Sequence, residues 1–350
     1  MKDHLLVFVP GILGTELIYK GKGPFGALVE EPVWTENASI LFDTLASRPE
    51  RLRASTPLST GSILNQVGFK YLKKIDLYGP LLHFLVDQLG YVADKSFLPF
   101  AYDWRQTNIT SANILALTLR TRFPGDLPIK FVAHSMGGVV VRLLLSNPAN
   151  LDLKKRTSGF VQIGVPVRGS SKAFKTLKHS PNFGIVFNYL LSINSHMDPR
   201  LYARLMLSLN SFPSLFELMP PDSERIAVMS TDSSFPALHK DFWLDLPDRE
   251  MRFASVRQVQ KQLSADTVPH SLVIYSVDIQ TERDYLVDET FVFTNRVERF
   301  VVGDGTVSVG SATLGANESE LHTIAGGIEH DKLQNDSNQV WSLLRKELDN

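Results

Sequence analysis

Residues 131–138 read Phe-Val-Ala-His-Ser-Met-Gly-Gly, an apolar stretch that breaks at Ser135 and continues into a second apolar run. Small residues, Ala133 and Gly137, stand two positions before and after the serine, where a larger side chain would collide with a neighbouring strand or helix. The pattern is typical of a strained strand-to-helix turn that lifts a serine Oγ above a sheet. It predicts that Ser135 is a nucleophile and that the N–H of Met136 helps to bind an oxyanion. The alternative interpretation is a glycine-rich helix start without a chemical role.

The sequence on both sides of this turn alternates short apolar runs with segments of helical periodicity. Strand-like runs lie near residues 5, 129, 159, 271 and 299, and helical patterns cover residues 79–89 and 139–145. Strands separated by helices favour a mostly parallel central sheet that is flanked by helices. The sequence therefore predicts an α/β fold.

Two segments interrupt this alternation. Residues 171–269 show helical and proline-punctuated pieces without clear strands, which indicates a helical cap inserted into the core. A smaller irregular insert runs from about residue 20 to residue 69. We expect the core to be built from residues 1–170 and 270–350.

Composition excludes several classes of function. The 350 residues are 43% hydrophobic, which is typical of a folded globular protein, and 36 Lys and Arg face 37 Asp and Glu. A net charge of −1 gives no field to hold a polyanion, so no nucleic-acid partner is expected. The absence of cysteine excludes disulfides, thiolate metal sites and a cysteine nucleophile. The sequence predicts neither a metal site nor a cofactor.

The apolar run from Leu5 to Val9 is too short for the apolar region of a signal peptide and reads as a buried strand. No stretch of about 18 apolar residues, the length that spans a bilayer, occurs in the sequence. We therefore expect a cytoplasmic protein. Peripheral membrane contact is left open, and the oligomeric state is not indicated.

A glycine-bracketed turn, Val-Pro-Gly-Ile-Leu-Gly over residues 9–14, directly follows this first strand. In acyl transfer the second N–H donor to the oxyanion comes from a loop after an early strand. Ile12 is predicted to supply it, with Leu13 as the alternative. A Pro-Gly turn also ends many strands without any such role.

An acid stands between two glycines at Gly303-Asp304-Gly305, after a β-rich run. Flanking glycines let the backbone approach a partner closely and present a carboxylate at the tip of a turn. Because Asp304 follows the serine and precedes a histidine, in the chain order of an α/β-hydrolase, it is predicted to orient that histidine. Asp278 is the reserve acid, and an ordinary Asp-Gly hairpin turn is the alternative interpretation.

Two histidines near the end of the chain, His322 and His330, could serve as the base. The run from His322 to Asp331 reads as a final strand, a turn and the start of a helix. His330 lies on the turn side, whereas His322 lies toward the opposite edge of that strand, at about 3.3 Å per residue. His330 is therefore predicted to take a proton from Ser135, which attacks an ester carbonyl and forms an acyl-serine.

These motifs together resemble the lecithin:cholesterol acyltransferase family of α/β-hydrolases. The segments that carry the resemblance are VFVPGILGTEL (7–17), PFAYDWRQ (99–106), FVAHSMGGVVVRLLL (131–145), GDGTVS (303–308) and IEHDKL (328–333).

The resemblance implies an α/β-hydrolase fold with Ser135, Asp304 and His330 as the catalytic triad, and Ile12 and Met136 at the oxyanion hole. It implies acyl esters of lipids as substrates, with the insert of about residues 20–69 as a lid loop and residues 171–269 as a cap. The segment Tyr102 to Arg105 looks like a structural loop with a supporting role.

The leading hypothesis is a serine hydrolase or acyltransferase that acts on lipid acyl esters, with phospholipid as the expected substrate. Arg168 and Lys172 are the candidates for contacting a phosphate, although scattered basic residues usually only solvate a surface. One alternative is a carboxylesterase or lipase that acts on neutral esters. Another is a non-catalytic scaffold of the same fold that binds lipid or protein.

Overall fold

The structure is a computed structural model that describes residues 2–22, 27–70, 74–178, 199–231, 233–265, 268 and 271–349. The strands of the described residues are β1 Leu5–Val9, β2 Thr15–Lys22, β3 Leu28–Trp34, β4 Leu58–Ile63, β5 Gln66–Val67, β6 Ile75–Asp76, β7 Phe97–Pro99, β8 Ile129–His134, β9 Thr157–Ile163, β10 Ala227–Met229, β11 Ser234–Phe235, β12 Ser271–Ser276, β13 Ile279–Val287, β14 Phe293–Gly303 and β15 Leu321–Ile324.

The α-helices of the same residues are α1 Ala38–Ser47, α2 Gly79–His83, α3 Asn108–Arg122, α4 Met136–Ser146, α5 Leu151–Arg156, α6 Ser171–Lys178, α7 Pro199–Leu209, α8 Pro213–Glu217, α9 Arg249–Ala265, α10 Val309–Ala312 and α11 Val340–Asp349. Helix α2 continues as a π-helical turn over Phe84–Gln88, so the helix predicted for residues 79–89 is present with altered winding. None of these helices has the length and apolar character that crossing a bilayer requires.

Within the described residues, six strands form a wholly parallel central sheet in the order β15-β12-β9-β8-β1-β7. Every residue of β1 and of β8 is buried, as expected for strands that helices cover on both faces. Because the carboxyl ends of parallel strands share one edge, the turns after β1, β8 and β9 lie side by side. This architecture confirms the predicted α/β-hydrolase fold.

The strand that precedes Asp304 belongs to a different sheet from the one suggested by the sequence. Residues 299–303 end β14, which pairs antiparallel with β13 in a second sheet of order β11-β10-β13-β14. Strands β10 and β11 lie in residues 171–269, where clear strands were not expected, so that expectation was wrong. Apolar periodicity identifies a strand but carries no information about its partner.

The insert of about residues 20–69 is more regular than its sequence suggests. Its strands β3 and β4 flank β2 in an antiparallel sheet of order β3-β2-β4, and α1 begins at Ala38 behind an Asn37 cap that accepts from Ser39 N–H. Residues 23–26 of the insert and residues 179–198 of the predicted cap lie outside the described residues. The boundaries of the lid and cap stay predictions.

A buried carboxyl joins three helices on the flank of the core. Glu217, at the end of α8, accepts hydrogen bonds from the backbone and side-chain N–H groups of Asn108 at 2.7 and 2.9 Å, and from Ser255 Oγ at 2.7 Å. Burial raises the pKa of Glu217 to about 7, against the effect of these hydrogen bonds. The carboxyl therefore holds its proton in the folded protein at pH values where it ionises in the unfolded chain.

We expect this carboxyl to make the protein less stable as the pH rises from about 5 to 8. The folded state binds more protons than the unfolded state between the ordinary pKa of 4.5 and the raised value, so the free energy of unfolding falls by about 3 kcal/mol across that interval. Glu217→Gln keeps an oxygen that can accept from Asn108, but its side chain does not ionise. Urea unfolding of both proteins at pH 5 and pH 8 tests this. A stability difference between the two proteins that does not change with pH would contradict it.

Candidate active site

Ser135 occupies a strained turn between β8 and α4. Its φ and ψ are 55° and −129°, a region that residues with a side chain rarely adopt. A Cβ at Gly137 would lie 2.3 Å from the carbonyl oxygen of Val9 and 2.5 Å from that of Pro10. The glycine two positions after the serine is therefore required, because the start of α4 packs directly on the end of β1.

The structure brings the three predicted site residues together. His330 Nε2 lies 2.8 Å from Ser135 Oγ, and His330 Nδ1 lies 2.7 Å from Asp304 Oδ2. All three side chains are buried. His330 begins a 3-10 helix, His330–Asn335, and its N–H donates to the Asp304 carbonyl, so backbone and side chain both join these two residues.

The reserve residues take no part in this arrangement. Asp278 is exposed, and its Oδ2 accepts from the N–H of Gly326. His322 lies within β15, opposite Ile274 of β12. It lines a surface depression together with Ser271, the first residue of β12. It is therefore at the far edge of the sheet, as its place in the sequence predicts.

The electrostatic surroundings favour an ionised Asp304 and make His330 a stronger base. Burial acts to raise the pKa of Asp304, but the charge and hydrogen bond of His330, with the N–H groups of Val307 and Thr306, hold it below its ordinary value. Burial acts to lower the pKa of His330, and Asp304 more than offsets this, so the pKa is raised. The ionised Asp304 accepts a hydrogen bond from Nδ1–H of neutral His330, and Nε2 is then free to accept one from the Ser135 hydroxyl.

One glycine beneath the acid and the histidine was missed by the sequence reasoning. Gly164 follows β9 with φ of +57°, and a Cβ there would lie 3.1 Å from His330 Nδ1 and 3.2 Å from Asp304 Oδ2. Its signal in the sequence was a Gly-Val-Pro segment directly after the strand that ends at Ile163. A glycine there leaves space for the imidazole over the end of the neighbouring strand.

The predicted oxyanion turn is a tight turn after β1. Gly14 N–H donates to the Gly11 carbonyl at 3.2 Å, and Leu13, the third residue of the turn, has a φ of 66°. A positive φ at this position is what a type II turn requires, and glycine is the usual residue there. We call residues Gly11–Gly14 the oxyanion turn. The Leu13 conformation is a second strained backbone position next to Ser135.

Aromatic side chains from distant segments hold the oxyanion turn and its flanks. Trp34 Nε1 donates to the Leu13 carbonyl at 2.8 Å, Tyr102 Oη donates to the Pro10 carbonyl at 2.9 Å, and Trp104 Nε1 donates to the Thr15 carbonyl at 3.0 Å. All three rings are buried. These hydrogen bonds hold the turn and its flanks in place. Tyr102 and Trp104 thereby contribute structural support, the role that the resemblance implies for the segment Tyr102 to Arg105.

Arg105 connects the same segment to the insert. It is fully buried, pairs with Asp103 at 2.7 Å, and donates to the carbonyls of Leu52, Arg53 and Thr56. A buried guanidinium with its donors satisfied by a carboxylate and backbone oxygens is a stable arrangement only while those oxygens stay in place. Residues 52–56 are therefore tied to the segment that supports the oxyanion turn.

The two predicted oxyanion donors belong to the two segments that meet at Ser135, the oxyanion turn and the start of α4. Met136 is the first residue of α4, and the first N–H groups of a helix have no partner within it. Ile12 lines the same pocket as Ser135, and its N–H donates to no other described residue. Both N–H groups are therefore available to an oxyanion, and their role stays a prediction.

A pocket opens over these groups, and its lining is mostly apolar. Lys172 of α6 reaches into it, with Nζ 3.1 Å from Thr306 Oγ1, and it supplies the cationic side chain of this lining among the described residues. Arg168 instead pairs with Glu224 and lines a neighbouring polar groove. The structure therefore separates the two basic residues that were singled out in the sequence. The pocket is lined by Gly11, Ile12, Leu13, Gly14, Leu77, Tyr78, His134, Ser135, Pro166, Ser170, Lys172, Ala173, Leu218, Thr306, Val307, His330, Asp331 and Gln334.

Comparison with known proteins gives the following matches. A family model described as lecithin:cholesterol acyltransferase matches residues 25–268. The phosphatidylcholine-sterol acyltransferase of Gallus gallus is 24% identical over 290 residues, covering 79% of this chain and 66% of the relative. The phosphatidylcholine-sterol acyltransferase of Homo sapiens is 25% identical over 321 residues, which cover 85% of this chain and 69% of the relative. The chain thus spans about two thirds of the length of these relatives.

Among solved structures, one described as the Tle4–Tli4 complex is similar over 100% of this chain and 99% of that chain, with a TM-score of 0.61 and 15% sequence identity. A likeness at this identity concerns the fold alone. The family model confirms the resemblance seen in the motifs. Its matched range includes Ser135 but ends before Asp304 and His330, so the place of these two residues in the site rests on the geometry described above.

Proposed function

This chain belongs to the lecithin:cholesterol acyltransferase family, and we propose on that premise that it is a serine enzyme that cleaves acyl esters of lipids through an acyl-serine intermediate. The observation that carries the proposal is the hydrogen-bonded series Asp304–His330–Ser135, with contacts of 2.7 and 2.8 Å, in which Ser135 and His330 line a largely apolar pocket. Nucleophile, base and orienting acid have the mutual geometry that acyl transfer requires.

In the first half-reaction, Ser135 Oγ attacks the ester carbonyl while His330 Nε2 takes its proton. Asp304 keeps the imidazole in the tautomer that presents Nε2 and stabilises the imidazolium. The N–H groups of Ile12 and Met136 donate to the oxyanion of the tetrahedral intermediate. His330 then returns the proton to the departing alcohol, and the acyl group remains on Ser135.

In the second half-reaction, water or another alcohol attacks the acyl-serine while His330 takes its proton. The bond between the acyl carbon and Ser135 Oγ then breaks, and His330 returns the proton to Oγ. Hydrolysis yields a free acid, and transfer yields a new ester. The triad serves both outcomes equally. Which of them dominates depends on how well water is excluded from the pocket and on whether an acceptor alcohol is bound.

We propose phospholipid as the substrate class because a cation stands in an otherwise largely apolar pocket. Lys172 Nζ contacts the Thr306 hydroxyl and pairs with no carboxylate among the described residues. A partly buried ammonium that pairs with no carboxylate in the described part of the chain favours binding of an anion, although the Asp331 carboxylate also lines the pocket. A phosphate next to an ester fits both this charge and the apolar walls. The mostly apolar lining favours the alternative substrate class, neutral esters.

Lys172→Met tests the substrate class. We expect kcat/KM for phospholipid to fall by about 10-fold or more, since a hydrogen bond to a charged group contributes roughly 1.5–3 kcal/mol, while kcat/KM for a neutral ester stays within about twofold. Lys175→Met is the matched control, because Lys175 lies on the same helix and pairs with Glu282 at 2.8 Å. Equal losses on phospholipid and neutral ester would count against a phosphate contact.

The enzyme assignment is tested by treating the protein with a fluorophosphonate probe and locating the adduct by peptide mass spectrometry. We expect labelling at Ser135. A panel of phospholipids, triacylglycerols and short esters, each with and without an alcohol acceptor, then assigns the substrate and reaction type. Absence of both labelling and turnover would favour the non-catalytic scaffold.

A further inference from the structure

Two buried side chains that the triad does not include connect the oxyanion turn to the backbone of His330. Tyr78 Oη lies 2.8 Å from the N–H of Gly11 and 2.9 Å from His134 Nδ1, and His134 Nε2 lies 3.1 Å from the His330 carbonyl oxygen. We call Tyr78 and His134 the bridge. It joins the two parts of the site that come from opposite ends of the chain.

The chemistry of the end groups fixes the direction of every hydrogen bond in the bridge. A carbonyl oxygen only accepts, so His134 Nε2 carries the proton and donates to His330. A neutral imidazole has one N–H, so His134 Nδ1 accepts the Tyr78 hydroxyl proton. The Tyr78 oxygen in turn accepts from the N–H of Gly11. Each donor thus has one acceptor, and no other arrangement of protons satisfies the groups.

The surroundings keep both members of the bridge neutral. Burial lowers the pKa of His134 to about 3, with the charge of His330 acting in the same direction. Burial also raises the pKa of the Tyr78 hydroxyl. At neutral pH both side chains are therefore neutral, as the hydrogen-bond directions given above require.

Both ends of the bridge are held in place. The Leu77 carbonyl, next to Tyr78, accepts from Gln334 and Asn335 on the 3-10 helix that begins at His330. At the other end, a Cβ on Gly11 would lie 3.0 Å from Ser135 Cβ, 3.1 Å from Tyr78 Oη and 3.2 Å from His134 Nδ1. Gly11 of the oxyanion turn is therefore packed closely against both bridge residues and Ser135, with no space for a side chain.

We propose that Tyr78 and His134 are positioning residues that set the oxyanion turn at the correct distance from the catalytic histidine. This rests on the proposed function, because it concerns the same reaction at the same site. Both side chains line the pocket, but neither forms a hydrogen bond with Ser135 Oγ, the His330 imidazole or the Asp304 carboxylate. The bridge acts through the peptide of Gly11, which precedes the predicted donor Ile12, and through the backbone of His330.

Tyr78→Phe isolates this role. The phenyl ring keeps the edge contact with Phe8, whose ring centroid is 5.3 Å away, and only the hydroxyl is lost. The Gly11 N–H and His134 Nδ1 then lack partners in a buried site, which favours movement of the turn. Because an oxyanion donor acts in the transition state, we expect kcat for a short soluble p-nitrophenyl ester to fall about 10- to 100-fold, with KM within about twofold.

The chain offers a matched control in a second buried tyrosine–histidine pair. Tyr91 Oη lies 2.6 Å from His4 Nε2, and His4 immediately precedes β1, at the edge of the sheet opposite Ser135. Tyr91→Phe removes the same type of hydrogen bond and is expected to leave kcat unchanged. An equal fall in kcat for both variants would contradict the proposal, because the loss of any buried hydrogen bond would then have the same effect.

A double-mutant cycle with His134→Phe gives a second measurement. If the bridge acts as one unit, the Tyr78→Phe/His134→Phe double variant loses no more in kcat than the larger single loss. Every kcat is normalised to the sites titrated by the fluorophosphonate, so that misfolded protein lowers the titre and not kcat. Multiplicative losses, or an unchanged kcat per titrated site in Tyr78→Phe, would overturn the proposal.

The two proposals fail in different ways. If the unaltered protein is not labelled at Ser135 and turns over no ester, the proposed function is wrong. If it is labelled and active while Tyr78→Phe matches it in kcat per titrated site, only the role of the bridge is wrong.

Discussion

Replacing Ser135 by alanine is expected to lower kcat by about 10⁴-fold or more, because the acyl-serine can no longer form and triad members act as a unit. Fold and pocket should persist, since the Oγ is a small group whose described contact is with His330. The measurement is initial-rate kinetics on the best ester of the panel. Circular dichroism shows in parallel that the variant is folded.

Ser276→Ala is the matched control for this prediction. Ser276 is a buried serine that ends β12 at the same edge of the sheet, and its Oγ has no hydrogen-bond partner in the described part of the chain. Its loss should change kcat little. A Ser135→Ala variant that keeps more than about a tenth of the activity would show that another residue is the nucleophile.

Asp304→Asn is expected to lower kcat by about 10⁴-fold with the protein still folded. An asparagine keeps the size of the side chain but removes the charge that stabilises the imidazolium and favours the tautomer with the proton on Nδ1. The other oxygen, Oδ1, accepts from the N–H groups of Thr306 and Val307, and an amide oxygen can do the same. The side chain then turns its NH₂ toward His330, which is the wrong partner for Nδ1–H.

The residual activity of Asp304→Asn should also depend differently on pH. In the unaltered protein Asp304 raises the pKa of His330, and the rate falls as the pH drops through that pKa, because a protonated His330 cannot accept the serine proton. Without the carboxylate the pKa of His330 is lower. The acid limb of kcat/KM against pH should therefore move to lower pH, and a limb that stays in place would contradict the assignment.

Asp278→Asn provides the comparison for the acid. The carboxylate of Asp278 is exposed and accepts from Gly326, so its loss should leave both kcat and the acid limb nearly unchanged. A larger loss in this variant than in Asp304→Asn would reverse the choice between the two carboxylates.

Much of the site could be predicted from local sequence because the constraints on it are local. The turn at Ser135 needs small neighbours at fixed positions, and the steric conflict at Gly137 involves the strand beside it. Asp304 and His330 were found from their glycines, turns and order along the chain. Their catalytic roles, the phospholipid substrate, the domain boundaries and the cytoplasmic location stay predictions.

Other parts of the site left no readable pattern. Trp34, Tyr78 and Tyr102 stand in unrelated segments, and nothing in their spacing indicates that all three bond to the oxyanion turn or its flank. His134 is a buried residue with hydrogen bonds to Tyr78 and to the His330 carbonyl, and its position beside Ser135 in the sequence does not indicate these partners. The strand before Asp304 was recognised, but its sheet was not.

The sequence by itself determined the elements and the chemistry that each can carry: a parallel α/β core, a serine on a strained turn, and an acid and a histidine after it. Those properties follow from periodicity and steric limits within a few residues. Only the tertiary structure decided which acid reaches which histidine and what holds the oxyanion turn. These contacts join residues as far apart as Ser135 and His330, and the packing of the whole core selects them.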